Sequence, residues 1–240
     1  MGAIGTALGL PFARPNLAFT PLSLSPVAWY DASQLALANG DPISTLPDLS
    51  GNGWNMTSSG TARPTFNSAG INSRGTADTD AVDDGMISSS IGVLSSWWVF
   101  MVVRPVSSGA FQVFWAVNDY APDADYLLIA AGSSGGALEL QGDPGTAPAF
   151  SATMAAGSNY ALLVTATPTA GNIYISNGNT ATRAGNYTKN ASVMRLFRRG
   201  DGLYKSCRFG EGVLGSGTLT AQQRAQLFTY ANGKWGTAIP

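Results

Sequence analysis

Apolar residues recur along this chain at two spacings, and the change from one to the other comes late. Residues 203–213 alternate, with Leu203, Cys207, Phe209 and Val213 on one face and Tyr204, Ser206 and Arg208 on the other. A period of two predicts a half-buried strand. Gly215-Ser216-Gly217 breaks it, and from Thr218 to Lys234 the period moves toward 3.6. Thr220 reads as an N-cap, with Gln223 completing a capping box. Leu227, Tyr230 and Ala231 share a face, Gly233 offers a stop, and Trp235 plugs against the body, so a helix is expected over residues 220–232.

Upstream, nothing reads as a comparable helix. Trp97 to Val103 is a continuous apolar run, expected as a strand buried on both faces and ended by Arg104-Pro105. Residues 111–117, 126–131, 137–141 and 160–166 continue the strands at short intervals, and Asn177-Gly178 marks a hairpin after residues 171–176. Strands at this spacing, without intervening helices, argue an all-β antiparallel sandwich rather than βαβ units. Ser50-Gly51-Asn52-Gly53 is a tight turn whose glycines and asparagine accept positive φ. Asp48 stands where it can take the turn's N–H groups, with calcium ligation as the sharper alternative. Asp78 to Gly85 forms an acidic turn.

Residues 1–26 stand apart. Pro11, Pro15, Pro21 and Pro26 forbid a helix and disfavour central-strand pairing. Yet Leu8, Leu10, Phe12, Leu17 and Phe19 are too apolar for a solvated tail, and Arg14 is the first basic residue. An extended arm of this kind must lie against something, either its own domain or a neighbouring subunit. The late Arg14 argues against a secretory leader, and no stretch approaches the ~20 apolar residues of a membrane span.

Two stretches carry a family resemblance. Cys207 to Leu214, Leu219 to Arg224 and Tyr230 to Gly236 resemble the end of concanavalin A-like (laminin G-like) jelly-roll domains, in the versions common in bacteriophage virion proteins and bacterial surface proteins. Trp29-Tyr30-Asp31, Asp48 to Gly53 and Arg63-Pro64-Thr65 are similar to the front of the same domains. The resemblance implies a two-sheet antiparallel jelly-roll sandwich over residues 27–240 with a short C-terminal helix, preceded by the arm of residues 1–26. It further implies a virion location, other virion proteins as partners and a homo-oligomer in the assembled particle.

Composition narrows the chemistry. With 11% charged residues, 29 Gly and 13 Pro, the chain favours turns over helices, and a net charge of −1 leaves no nucleic-acid footprint. The single cysteine, Cys207, reads as a small core residue. The chain has no histidine, which removes histidine-based triads and the usual zinc sites. A glycosidase on this fold would set two carboxylates across a cleft, but the only glutamates, Glu139 and Glu211, stand alone, so Glu211 reads as a structural carboxylate. The loop Asn118 to Asp125 offers Asp119, Tyr120, Asp123 and Asp125, a set that could stack a sugar ring or hold calcium. The basic residues Arg183, Lys189, Arg195, Arg198, Arg199, Lys205 and Arg208 cluster in sequence, as a solvated strand face or as a basic edge.

The expectation is therefore a non-enzymatic structural protein of a bacteriophage particle, a head decoration or a tail fibre component docked by Leu8, Leu10, Phe12, Arg14, Leu17 and Phe19. It carries no catalytic residues, metal centre or cofactor, with calcium the one ion its acidic loops could take. A carbohydrate-binding adhesin that recognises host surface glycans is the alternative, and a glycoside hydrolase the weaker one.

Overall fold

The computed structural model describes residues 19–80, 82–106, 112–118, 127–131, 138–142, 153–191, 193–199, 202 and 204–238. In chain order the strands are β1 Ala28–Asp31, β2 Thr45–Leu46, β3 Met56–Thr57, β4 Thr65–Ile71, β5 Arg74–Asp78, β6 Met86–Ser88, β7 Gly92–Leu94, β8 Trp97–Pro105 and β9 Gln112–Val117. They continue as β10 Leu127–Ala131, β11 Leu138–Gly142, β12 Tyr160–Ala166, β13 Ala170–Ile175, β14 Thr180–Ala184, β15 Lys189–Ala191, β16 Met194–Leu196 and β17 Cys207–Ser216, followed by helix α1 Ala221–Trp235.

An 8-stranded sheet runs β14-β13-β12-β8-β17-β5-β4 with β1 also on β17, and a 7-stranded sheet runs β11-β10-β9-β16-β6-β3-β2. A two-stranded ribbon, β15-β7, lies apart from both. The pairings are antiparallel, so the chain is an all-β sandwich closed by one helix.

The apolar run of β8 is buried on both faces as the pattern predicts. Trp97, Val99, Met101 and Val103 enter the core between the sheets, while Trp98, Phe100 and Val102 enter a second cluster under α1. β12 divides likewise, with Leu162 and Val164 inward and Ala161 and Leu163 outward. One sheet therefore carries apolar layers on both sides, and α1 exists to cover the outer one with Leu227, Phe228, Ala231 and Trp235. Thr220 caps α1 in the predicted capping box. The helix runs three residues past the expected end, because the left-handed residue that closes it is Gly236 (φ 64°) rather than Gly233.

The closing strand departs from simple alternation. The register of β17 against β8 shifts between Phe209 and Glu211, a bulge that leaves Gly210 extra. Cys207 and Phe209 face the inter-sheet core, but beyond the bulge Val213 faces α1, not the side it shares with Phe209 in the sequence pattern. The same shift turns Glu211 toward the helix. Glycines admit this crowding: a Cβ on Gly210 would stand 2.7 Å from the Trp235 ring, and one on Gly215 would stand 2.1 Å from the Trp98 indole.

The turn at residues 50–53 forms as expected, with Gly51 at φ 90° and Gly53 at φ 83°. Asp48 accepts from the Trp29, Ser50 and Trp54 N–H groups and from the Ser50 hydroxyl. Burial opposes ionisation there, but these four donors hold the carboxyl below its usual range and fill the lone pairs a calcium ion would need. Cys207 is fully buried, and burial pushes its thiol up to about 12, so it packs rather than reacts.

Gly215→Ala is expected to cost about 1–3 kcal/mol by overpacking the Trp98 contact. Gly233→Ala, with open space at its Cβ position inside α1, is expected to gain about 0.5–1 kcal/mol. Urea denaturation of the two variants checks both signs.

Candidate functional site

Strand β1 places Trp29 and Asp31 on the outer face, opposite Val213 and Glu211 of β17. Asp31 and Glu211 are direct cross-strand partners, and like charges so placed repel. Lys234, from the last turn of α1, resolves the conflict: its Nζ lies 2.5 Å from Asp31 Oδ2 and 3.0 Å from Glu211 Oε2. Glu211 also accepts from Trp29 Nε1 at 2.6 Å, the Tyr230 hydroxyl at 2.8 Å and Trp235 Nε1 at 2.7 Å. Burial pushes the Glu211 carboxyl up from its usual range, with the Lys234 ammonium opposing and Asp31 adding to the rise. The Tyr230 phenol is pushed up as well, by burial and by Glu211. Glu211 is fully buried and Asp31 nearly so, at 3% exposure. Through these contacts Glu211 clamps the helix to the sheet.

Near the start of α1, a cleft of about 170 Å³ with a mixed polar and apolar lining opens against the sheet. β12 contributes Thr165, the turn after it Thr167, β13 contributes Asn172 and Tyr174, and the turn into α1 contributes Thr218 and Leu219. Arg224 reaches across from the helix, its guanidinium 5.3 Å from the Tyr174 ring centre and Nη1 donating to the Leu219 carbonyl. Asn172 donates to Thr165 Oγ1 and accepts from the Thr182 hydroxyl, which fixes its amide while leaving one hydrogen and one lone pair uncommitted. A second groove, of about 320 Å³ and mostly apolar, lies over α1 between Phe19 and Tyr230.

No family model matches this chain, and no curated protein matches it either. Solved structures do share its fold. Domain 4 of AbnA, an extracellular GH43 arabinanase from Geobacillus stearothermophilus in complex with arabinotriose, superposes with a TM-score of 0.63 at 15% identity, over 84% of this chain and 97% of that domain. An arabinofuranosidase bound to arabinofuranosyl-α-1,2-xylobiose gives a TM-score of 0.66 at 11% identity, over 87% of this chain and 64% of its own. A Trypanosoma rangeli sialidase gives 0.60 at 10% identity, over 94% of this chain and 36% of its own. The chain thus spans less than two thirds of the length of either enzyme.

These likenesses correct the functional expectation. A non-enzymatic virion structural protein is not what this sandwich resembles: its structural neighbours are glycoside hydrolases and a sugar-bound arabinanase domain, and nothing in them points to a bacteriophage particle. The expectation of no enzyme took Glu139 and Glu211 as isolated because neither has an acidic partner near it in the sequence. Folding makes that test too narrow, because Asp31 and Glu211 lie far apart in sequence and yet pair across adjacent strands.

Of the sequence-predicted site residues, Asp119, Tyr120, Asp123 and Asp125 lie outside the described residues, as do Leu8, Leu10, Phe12, Arg14 and Leu17 of the arm. Phe19 is described and packs edge-on to Tyr230, ring centres 6.1 Å apart. The basic residues are spread over three sheets: Arg183 and Arg208 lie in the 8-stranded sheet, Arg195 in the 7-stranded sheet and Lys189 in the ribbon. Arg208 pairs with Asp78, and Lys205 is buried with its ammonium over the Phe114 ring. The acidic turn brings carboxylate oxygens of Asp80, Asp83 and Asp84 within 4.8 Å of one another. Sequence reading missed the cleft: Asn172 and Tyr174 share a strand face by alternation, but only the fold brings Arg224 to them.

Two measurements check these assignments. Lys234→Met, which leaves two facing buried carboxylates without their cation, is expected to cost about 3–5 kcal/mol in chemical denaturation. Asp84 is raised to about 6, mainly by burial, with the Asp80 N–H opposing and the charges of Asp80 and Asp83 adding. The native state therefore holds this proton more tightly than the unfolded chain, and stability is lost as pH rises from about 4 to about 6. Asp84→Asn is expected to raise Tm at pH 7, with the gain over wild type vanishing by pH 4.

Proposed function

We propose that this chain recognises oligosaccharides, as a β-sandwich of the glycoside-hydrolase type. The observation that carries the reading is the arabinanase domain, which this chain matches over nearly its whole length and which holds arabinotriose. The arabinofuranosidase and sialidase structures, also described with sugar-like ligands, place similar sandwiches within enzymes that act on glycosides. Since one fold hosts many functions, the reading also needs chemistry in this chain. The cleft under α1 supplies it, with an aromatic ring, a guanidinium, an amide and several hydroxyls converging on a space smaller than a typical drug-sized pocket. Sugar rings are bound by such sets, apolar faces against aromatic rings and hydroxyls against fixed donors and acceptors.

Titration calorimetry of the full chain against arabinotriose, neutral gluco- and xylo-oligosaccharides and uronate-bearing oligosaccharides tests the reading. Saturable binding of at least one member is expected, whereas no heat from any of them overturns it. Chromatography of the same mixtures reads whether bond cleavage accompanies binding.

A further inference from the structure

We infer that the cleft between α1 and the β12–β13 hairpin binds an acidic sugar residue, a uronate-type ring whose carboxylate pairs with Arg224. The inference rests on the oligosaccharide reading above and sharpens it to a ligand class and a location. Arg224 is the only charged residue among the described residues that line the cleft. Among the described residues no carboxylate lies within ion-pair distance of it, whereas Arg208 and Lys234 both have acidic partners.

The guanidinium is partly buried, held by the Leu219 carbonyl through one nitrogen and by the Tyr174 ring through its face. Such a clamp fixes its direction and leaves further N–H groups for a planar acceptor, which a carboxylate satisfies with two parallel bonds. A neutral sugar would take up hydroxyl contacts here but leave the cation unpaired. The cleft also adjoins the first turn of α1, which contains no acid to compete for the site.

The rest of the lining suits the remainder of a sugar ring. Asn172 is immobilised by Thr165 and Thr182 and still has one donor and one acceptor to offer, while Thr167 and Thr218 carry hydroxyls at the rim. The clamp of Glu211, Asp31 and Lys234 does not line the cleft and takes no part.

Methyl glucuronide and methyl glucoside differ at one carbon, carboxylate against hydroxymethyl, and serve as the paired probes. Wild-type chain is expected to bind the glucuronide at least about tenfold more tightly than the glucoside at low salt, in keeping with a charge-assisted pair. The preference is expected to shrink as salt is raised. Arg224→Gln is expected to abolish it, with folding verified by circular dichroism. Asn172→Asp sets an anion beside the ligand carboxylate and Arg224, so it is expected to weaken glucuronide binding more than glucoside binding. Equal affinity for the two probes in wild type, or a preference that survives Arg224→Gln, overturns the inference. Binding of neutral oligosaccharides alone also overturns it and leaves the oligosaccharide reading standing, whereas binding of none of the sugars removes both.

Discussion

A single buried carboxylate holds the outer layer of this protein together. Glu211 sits where the bulge in β17 turns the strand's parity, and it gathers donors from Trp29 on β1 and from Tyr230, Lys234 and Trp235 on α1. An ionised carboxylate in an apolar layer would be costly without partners. Here its lone pairs are filled from both elements, which Lys234 also links directly through Asp31. The helix, which shares apolar contacts with β8, β12 and β17, gains from this network a fixed direction along the sheet. Hydrophobic burial alone, being non-directional, would not supply one.

That fixed direction decides where Arg224 ends up. It lies near the start of α1, ahead of the clamp residues Tyr230, Lys234 and Trp235, and reaches the rim of β12 and β13 because the far end of the helix is pinned. The cleft is thus a by-product of how a helix is seated, and its chemistry combines Arg224 of the helix with residues at the rim of the sheet.

Much of the architecture was legible from residue order. The run from Trp97 to Val103 announced a strand with two apolar faces, and Thr220 with Gln223 announced the start of the helix. Asp48 with its glycine turn announced a satisfied loop. Simple alternation failed at Gly210, since a bulge shifts every later residue to the opposite face and no two-residue period can register that. The helix end slipped because Gly233 can remain helical when Gly236 offers the left-handed turn. Function was the least legible part. Resemblance at the two ends of the chain reflected shared architecture, and the architecture is common to domains with different work. The pairing of Asp31 with Glu211, and of Tyr174 with Arg224, needed strand order that local patterns do not encode.

The position of β17 has a kinetic corollary. It lies between β8 on one side and β5 and β1 on the other, yet it follows all three in the chain. Until it inserts, the half-sheets cannot join, and the aromatic layer of Trp98 and Phe100 stays open to other molecules. Assembly must therefore wait on contacts of very large sequence separation, such as Trp29 to Glu211 at 182 residues, which places this chain among slow folders whose intermediates aggregate.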